Sequence, residues 1–163
     1  HNFLTYVPKG GDIYFGLYTD NLTGGTNHSY TILPKRTVGT AISVKEPTTP
    51  DTPGNPLLKN LTIDKAFYAT DGMIEDTTDA DYITFKPATT GTLYFAASTV
   101  TGGQLTVQLL DMTCSTMVGV NGARTANGAA AQEETVNSAV TYCLKVSGQA
   151  KTPYTLIMTQ DIP

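Results

Sequence analysis

The sequence has no tryptophan, only two cysteines and only two histidines among 163 residues, and its charged fraction is 15%. Each shortage narrows the field. Ten basic residues against fourteen acidic ones give a formal net charge of −4, so no basic face is there to neutralise phosphates, which argues against nucleic acid and against anionic membrane surfaces as partners. No apolar run approaches the roughly 18 to 20 residues that cross a bilayer, so membrane insertion is not expected. A charged and apolar leader is also missing, which fits a mature or trimmed product. The scarcity of charge leaves little material for long amphipathic helices, and helical bundles and coiled coils fall away. Both histidines lie at or before position 28, so neither cysteine has a sequence neighbour suited to activate it as a nucleophile. Without tryptophan, an exposed sugar-stacking platform has lost its usual centrepiece.

What fills the gap is threonine, roughly one residue in six, together with 15 glycines, nine prolines and nine tyrosines. Residues of this kind suit short strands joined by turns. The length corresponds to one domain, or to one domain with an appended piece. Low charge, abundant Thr and Asn and a single cysteine pair fit a protein working outside the cytoplasm, either secreted or at the cell surface.

Strand-like runs recur along the chain. In the first third they are 3–7, 12–19, 29–33 and 40–45, each bounded by Gly, Asn or Pro. Next comes the stretch 46–56, with Pro47, Pro50, Pro53 and Pro56 and no large apolar residue. Missing amide donors forbid a central strand there, and fixed φ favours an extended linker or crossover. Later runs are 57–63, 66–69, 81–87, 91–98, 104–111, 138–146 and 153–160. Val140, Tyr142, Leu144 and Val146 alternate with Thr141, Cys143 and Lys145, and Tyr154, Leu156 and Met158 alternate likewise, so each of these strands buries one face. The Ala-rich stretch 123–135 is broken by Asn127-Gly128 and has no apolar stripe, so it reads as a polar loop or an edge strand.

Four pieces in order then resemble one family. Asp79-Ala80-Asp81-Tyr82-Ile83-Thr84-Phe85 opens a strand with paired aspartates, and Thr90-Gly91-Thr92-Leu93-Tyr94-Phe95 follows it. Leu105 to Asp111 forms the third piece, and Thr141 to Ser147 with Tyr154-Thr155-Leu156 makes a closing hairpin. From residue 57 to 160 this resembles the bacterial pre-peptidase C-terminal domain, a β-sandwich appended to secreted proteases and other exported proteins. The resemblance implies an all-β fold, an antiparallel sandwich of jelly-roll or immunoglobulin-like type, over residues 57–163. An N-terminal β-strand extension, 1–45, and the Pro/Thr-rich linker, 46–56, precede it.

That extension echoes the closing hairpin: Tyr14-Phe15-Gly16-Leu17-Tyr18 and Ser29-Tyr30-Thr31-Ile32 parallel the tyrosine-headed strands near the end of the chain. Detached sandwich strands expose edges that seek a partner, in their own domain or in a neighbouring subunit. Phe3, Tyr6, Tyr14, Leu17 and Tyr18 are therefore the expected assembly residues, with copies of the same chain as partners.

Cys114 and Cys143 are expected to form one disulfide. Carboxylates crowd around a turn at Asp71, Glu75, Asp76, Asp79 and Asp81, and Asp76, Asp79 and Asp81 are candidate calcium ligands, since hard cations take six to eight oxygens. Capping of turn amides is the competing role for such residues. If His1 is the mature terminus, its amine and imidazole with His28 could chelate copper in the manner of a histidine brace; a residue left by leader or tag cleavage is the simpler account of His1, and neither copper nor any other cofactor is required. Glu133 and Glu134 are adjacent and point apart on a strand, which argues against a glycosidase pair. Three sequons begin at Asn21, Asn27 and Asn60. The functional expectation is a non-catalytic extracellular structural protein, a filament or array subunit joined by strand complementation. The alternatives are an accessory carbohydrate- or protein-binding module of a secreted hydrolase, and a copper-binding protein.

Overall fold

The structure, a computed structural model, describes residues 41–45, 51–64, 66–120 and 122–160. The chain divides into two compact units, one of residues 37–163 with 1–6 and the other of residues 7–36. The second unit lies outside the described residues, as do the expected strands at 3–7, 12–19 and 29–33.

Ten strands are described: β1 Ala41–Ser43, β2 Leu58–Ile63, β3 Ala66–Ile74, β4 Ala80–Pro87, β5 Gly91–Ser98, β6 Gln104–Asp111, β7 Ala123–Asn127, β8 Ala129–Val136, β9 Tyr142–Gly148 and β10 Thr152–Thr159. They form two five-stranded sheets, one in the order β1-β3-β10-β5-β8 and the other β2-β4-β9-β6-β7. The all-β sandwich is thus as expected, with one refinement. β1 runs parallel to β3 and β2 parallel to β4, so each mostly antiparallel sheet carries a parallel strand at one edge. Parallel neighbours cannot be joined by a tight hairpin and need a longer crossover.

Two-residue alternation decides which side chains meet between the sheets. Leu105, Val107 and Leu109 of β6, Leu144 and Val146 of β9, Leu156 and Met158 of β10, and Leu93 and Phe95 of β5 are at most 1% exposed and share one cluster. Each such side chain contributes about 1.5–3 kcal/mol by leaving water. Phe85 and Tyr142 stack within this core with ring centroids 6.0 Å apart. Val140 departs from the expected alternation. It stands in the turn before β9, 42% exposed, with its amide donating to Asn137 O at 3.0 Å. The Tyr142 hydroxyl accepts from the Asn137 amide at 2.9 Å, which fastens that turn.

The Ala-rich stretch resolves into two edge strands in different sheets. β7 pairs with β6, β8 pairs with β5, and Gly128 between them has φ 77°. Only glycine adopts that conformation cheaply. Its amide donates to Gly103 O at 3.0 Å and its carbonyl accepts from the Thr99 amide at 2.7 Å, pinning the corner where the chain changes sheets.

Cys114 and Cys143 form the expected disulfide, with Cα atoms 5.2 Å apart. It ties the loop after β6 to β9 and packs with Leu110 and Tyr82 on the outer side of the second sheet. Upstream, two features lie N-terminal of residue 57 and are nonetheless built into the sandwich unit. β1 pairs with Tyr68, Ala69 and Thr70 of β3. Within the expected linker, Thr52 and Asn55 close a tight turn through reciprocal backbone hydrogen bonds of 3.1 and 2.9 Å, and Asp51 before it is 7% exposed.

Candidate functional site

The turn between β3 and β4 is built by its own polar side chains. Asp76 Oδ1 accepts from the Thr78 amide and the Thr78 hydroxyl, both at 2.7 Å, and from the Asp79 amide at 3.1 Å. These bonds, the hydroxyl first, hold the Asp76 carboxyl below its ordinary value. Asp79 Oδ2 in turn accepts from the Glu75 amide at 3.0 Å, closing the turn from its other side.

Beyond this turn lie three carboxylates with ligand atoms all within 4.8 Å of one another, from Asp51, Asp79 and Asp81. Asp81 is 0% exposed on β4 and Asp51 7%. The Tyr154 hydroxyl on β10 donates to Asp81 Oδ2. The Tyr82 amide donates to Asp51 Oδ2 at 2.5 Å, so the lead-in segment is fastened to the β4 backbone beside the cluster. At an effective dielectric of about 20, two full charges at such a separation repel by about 3 kcal/mol, a cost that a cation or shared protons relieve. Protonation is one response: partial desolvation, followed by the hydrogen bond and like charge of Asp79, pushes the Glu75 carboxyl up to about 7. Burial, and then Asp81, hold the Tyr154 phenol well above its ordinary value, so it remains a donor.

A hard cation suits this donor set. Calcium–oxygen bonds of about 2.3–2.6 Å place ligand oxygens no more than about 5 Å apart across such an ion, whose six to eight ligands ordinarily include backbone carbonyls and water as well as carboxylates. Of the three residues expected from sequence, Asp79 and Asp81 meet here, whereas Asp76 is exposed and occupied with capping the turn. The third carboxylate of the group is Asp51. Nothing near Asp51 marks it in sequence, because Pro50 and Pro53 flank it in a stretch that reads as linker.

A third buried carboxylate, away from this group, serves structure. Glu134 on β8 is 3% exposed, while Glu133 beside it is exposed, so the pair does point apart. Glu134 accepts from the Val120 amide at 3.2 Å and from Gln132 Nε2 at 3.0 Å, and the same Gln132 nitrogen donates to Gly122 O at 2.8 Å. Gly119, with φ 91°, lies so close that an added Cβ would sit 2.3 Å from the Glu134 carboxyl carbon. The group anchors the β6–β7 loop.

No histidine and no free thiol occurs among the described residues, so a Ser–His or Cys–His pair is absent among them. His1 and His28, the expected copper ligands, lie outside the described residues, and so do Phe3, Tyr6, Tyr14, Leu17 and Tyr18. Asn60, the one sequon asparagine within them, is exposed on edge strand β2. No helix among the described residues is long and apolar enough to cross a membrane.

The likeness to solved structures is to a pre-peptidase C-terminal sandwich. The chain is similar to that domain of a collagenase from Bacillus anthracis, with a TM-score of 0.46 and 16% identity, over 69% of this chain and 98% of the domain. A β-glucosidase from Paenibacillus barengoltzii gives a TM-score of 0.37 and 11% identity, over 76% of this chain and 14% of the enzyme. The chain therefore spans a small part of that enzyme's length. The first of these two is a domain of the kind the sequence resembles. No protein-family model matches the chain, and no curated protein does.

Proposed function

We propose that the chain is a non-catalytic accessory module of an exported protein, and that a divalent cation, calcium by its donor set, clamps the segment leading into the sandwich. The single observation behind this is the meeting of Asp51 from that segment with Asp79 and Asp81 of the β3–β4 region. A cation shared between them couples the direction in which the chain enters the module to the rigid sheets, which is what a module attached to a larger protein requires. The one disulfide and the low charge suit an extracellular setting. Its partner is then a polymer or a protein surface, polysaccharide included, and the cation serves structure. Limited proteolysis tests the reading: cleavage within 46–56 slows several-fold in millimolar calcium relative to chelator, whereas equal cleavage rates in the two conditions contradict it.

A homopolymer joined by strand complementation is a second reading, supported by the edge at β3. β1 and the Val44 amide after it cover only Tyr68, Ala69 and Thr70 of that nine-residue strand, and among the described residues no strand pairs with the rest of this side. A strand from another copy could extend the ladder there. Light scattering separates the two, since a monodisperse monomer at high concentration contradicts the polymer.

A further inference from the structure

Edge strand β2 carries a feature that neither the core nor the carboxylate group uses, the tripeptide Asn60-Leu61-Thr62. The pairing of β2 with β4 slips here. Leu58 stands opposite Ile83 and Leu61 opposite Phe85, so two residues, Lys59 and Asn60, stand against one, Thr84. Such a bulge re-aims the side chains around it. Asn60 takes a left-handed backbone conformation, φ 57°, which asparagine tolerates better than most residues. Its amide donates to Thr84 Oγ1 at 3.0 Å, which fixes the bulge to the neighbouring strand. The extra residue lets Leu58, Leu61 and Ile63 all pack with the interior cluster. Asn60 and Thr62 alternate with Leu61 and Ile63 and are left together on the exposed side. β2 is also the outermost strand of its sheet, with β4 its one sheet neighbour among the described residues.

We propose that Asn60 is an acceptor for an N-linked glycan, transferred from a lipid-linked oligosaccharide as the chain is exported. The acceptor must be an asparagine with a hydroxyl residue two positions on and no proline between, and Asn60, Leu61 and Thr62 meet that requirement. In the transfer, Asn60 Nδ2 bonds to the anomeric carbon of the first sugar. The bond from that carbon to the lipid phosphate breaks, the phosphate leaves with the electron pair, and the amide proton passes to a base of the transferase. In a chain rich in Asn and Thr such a tripeptide also arises by chance, so its place in the fold has to decide. A glycan is bulky and solvated and needs room at the surface. A sequon turned into the core or set in a central strand denies it that room. Here both the asparagine and its threonine face solvent at a sheet edge, while Ile63, 1% exposed, holds the strand down beside them. The inference rests on the exported character of the module and is independent of the proposed cation.

Peptide mass spectrometry tests the assignment on the full chain secreted from yeast, as the natural sequence and as Thr62→Ser and Thr62→Ala. Lys59 and Lys65 bracket a tryptic fragment that holds this sequon and neither of those at Asn21 and Asn27. The expected result is a glycan on Asn60 in most molecules of the natural chain and of Thr62→Ser, removed by a peptide N-glycosidase and lost in Thr62→Ala. Bare Asn60 in the secreted natural chain, from a culture whose co-secreted reporter glycoprotein is modified, overturns the proposal and leaves the cation reading untouched. Sugar confined to chain retained inside the cell, with the secreted chain bare, also overturns it, because the fold then rejects the group. Chain exported by its own cells is read in the same way: a glycan on Asn60 supports the assignment and a bare Asn60 overturns it.

Discussion

The Tyr154 hydroxyl reaches from β10 of one sheet to the Asp81 carboxylate on β4 of the other, so one buried hydrogen bond joins the two sheets at the carboxylate cluster. Gly72 makes this possible. A Cβ on Gly72 would fall 2.4 Å from the Tyr154 ring, so the ring lies flat against the β3 backbone and its hydroxyl is aimed across the sandwich.

Tyr154→Phe removes the donor and leaves Asp81 buried without it. Hydrogen bonds to charged groups are worth about 1.5–3 kcal/mol, and a loss of that order is expected in urea unfolding. A midpoint equal to that of the natural chain would show that the bond carries no net stability.

Gly72→Ala is expected to destabilise the fold by about 1–3 kcal/mol, since the methyl group must displace the Tyr154 ring. Gly54→Ala is the control, because an added Cβ there meets nothing within 4 Å. Thermal unfolding of both variants checks the contrast.

Cys114→Ser with Cys143→Ser opens a loop closed across a sequence separation of 29. The loop-entropy model gives about 3–4 kcal/mol for such a cross-link. Unfolding of the double variant is expected to match that of the natural chain with its disulfide reduced.

Stability should also depend on pH in a defined direction. Glu75 binds its proton more tightly folded, with a value of about 7 against an ordinary 4.5. Its stabilising contribution is therefore complete below about 4.5 and is lost as pH rises towards 7. Asp76 and Asp111, each held low chiefly by threonine side-chain hydrogen bonds, act oppositely, and their contribution fades as pH falls below 3.8. Glu75→Gln should flatten the slope between pH 4.5 and 7 while leaving the acid limb, and melting temperature against pH reads both.

Much of the sandwich was legible in sequence because its strands bury one face each. Gly91–Ser98 and Gln104–Asp111 begin and end where the turn residues place them, and two cysteines allow one intramolecular pairing. The strand-like run 66–69 covers only the first part of β3, whose second half contains Asp71 and Gly72; the structure continues it to Ile74 through Asp71 at φ 63°. Val140 continues the apolar alternation of a strand, yet the Asn137–Tyr142 hydrogen bond turns the chain there first. The parallel edges left no local signal, since register across a long crossover is decided by packing and not by neighbours in sequence. The candidate site was half legible for the same reason: Asp79 and Asp81 lie together in the chain, whereas Asp51 arrives from about thirty residues away, and Asp76 has the right chemistry but spends it on its own turn.

Calorimetric titration of calcium into the natural chain and into Asp51→Asn tests the account most directly. Saturable binding to the natural chain, weakened at least ten-fold in the variant and accompanied by a calcium-dependent rise in melting temperature only in the former, is the result expected. Absence of binding to the natural chain, or equal binding by both, would contradict a cation clamp between Asp51, Asp79 and Asp81.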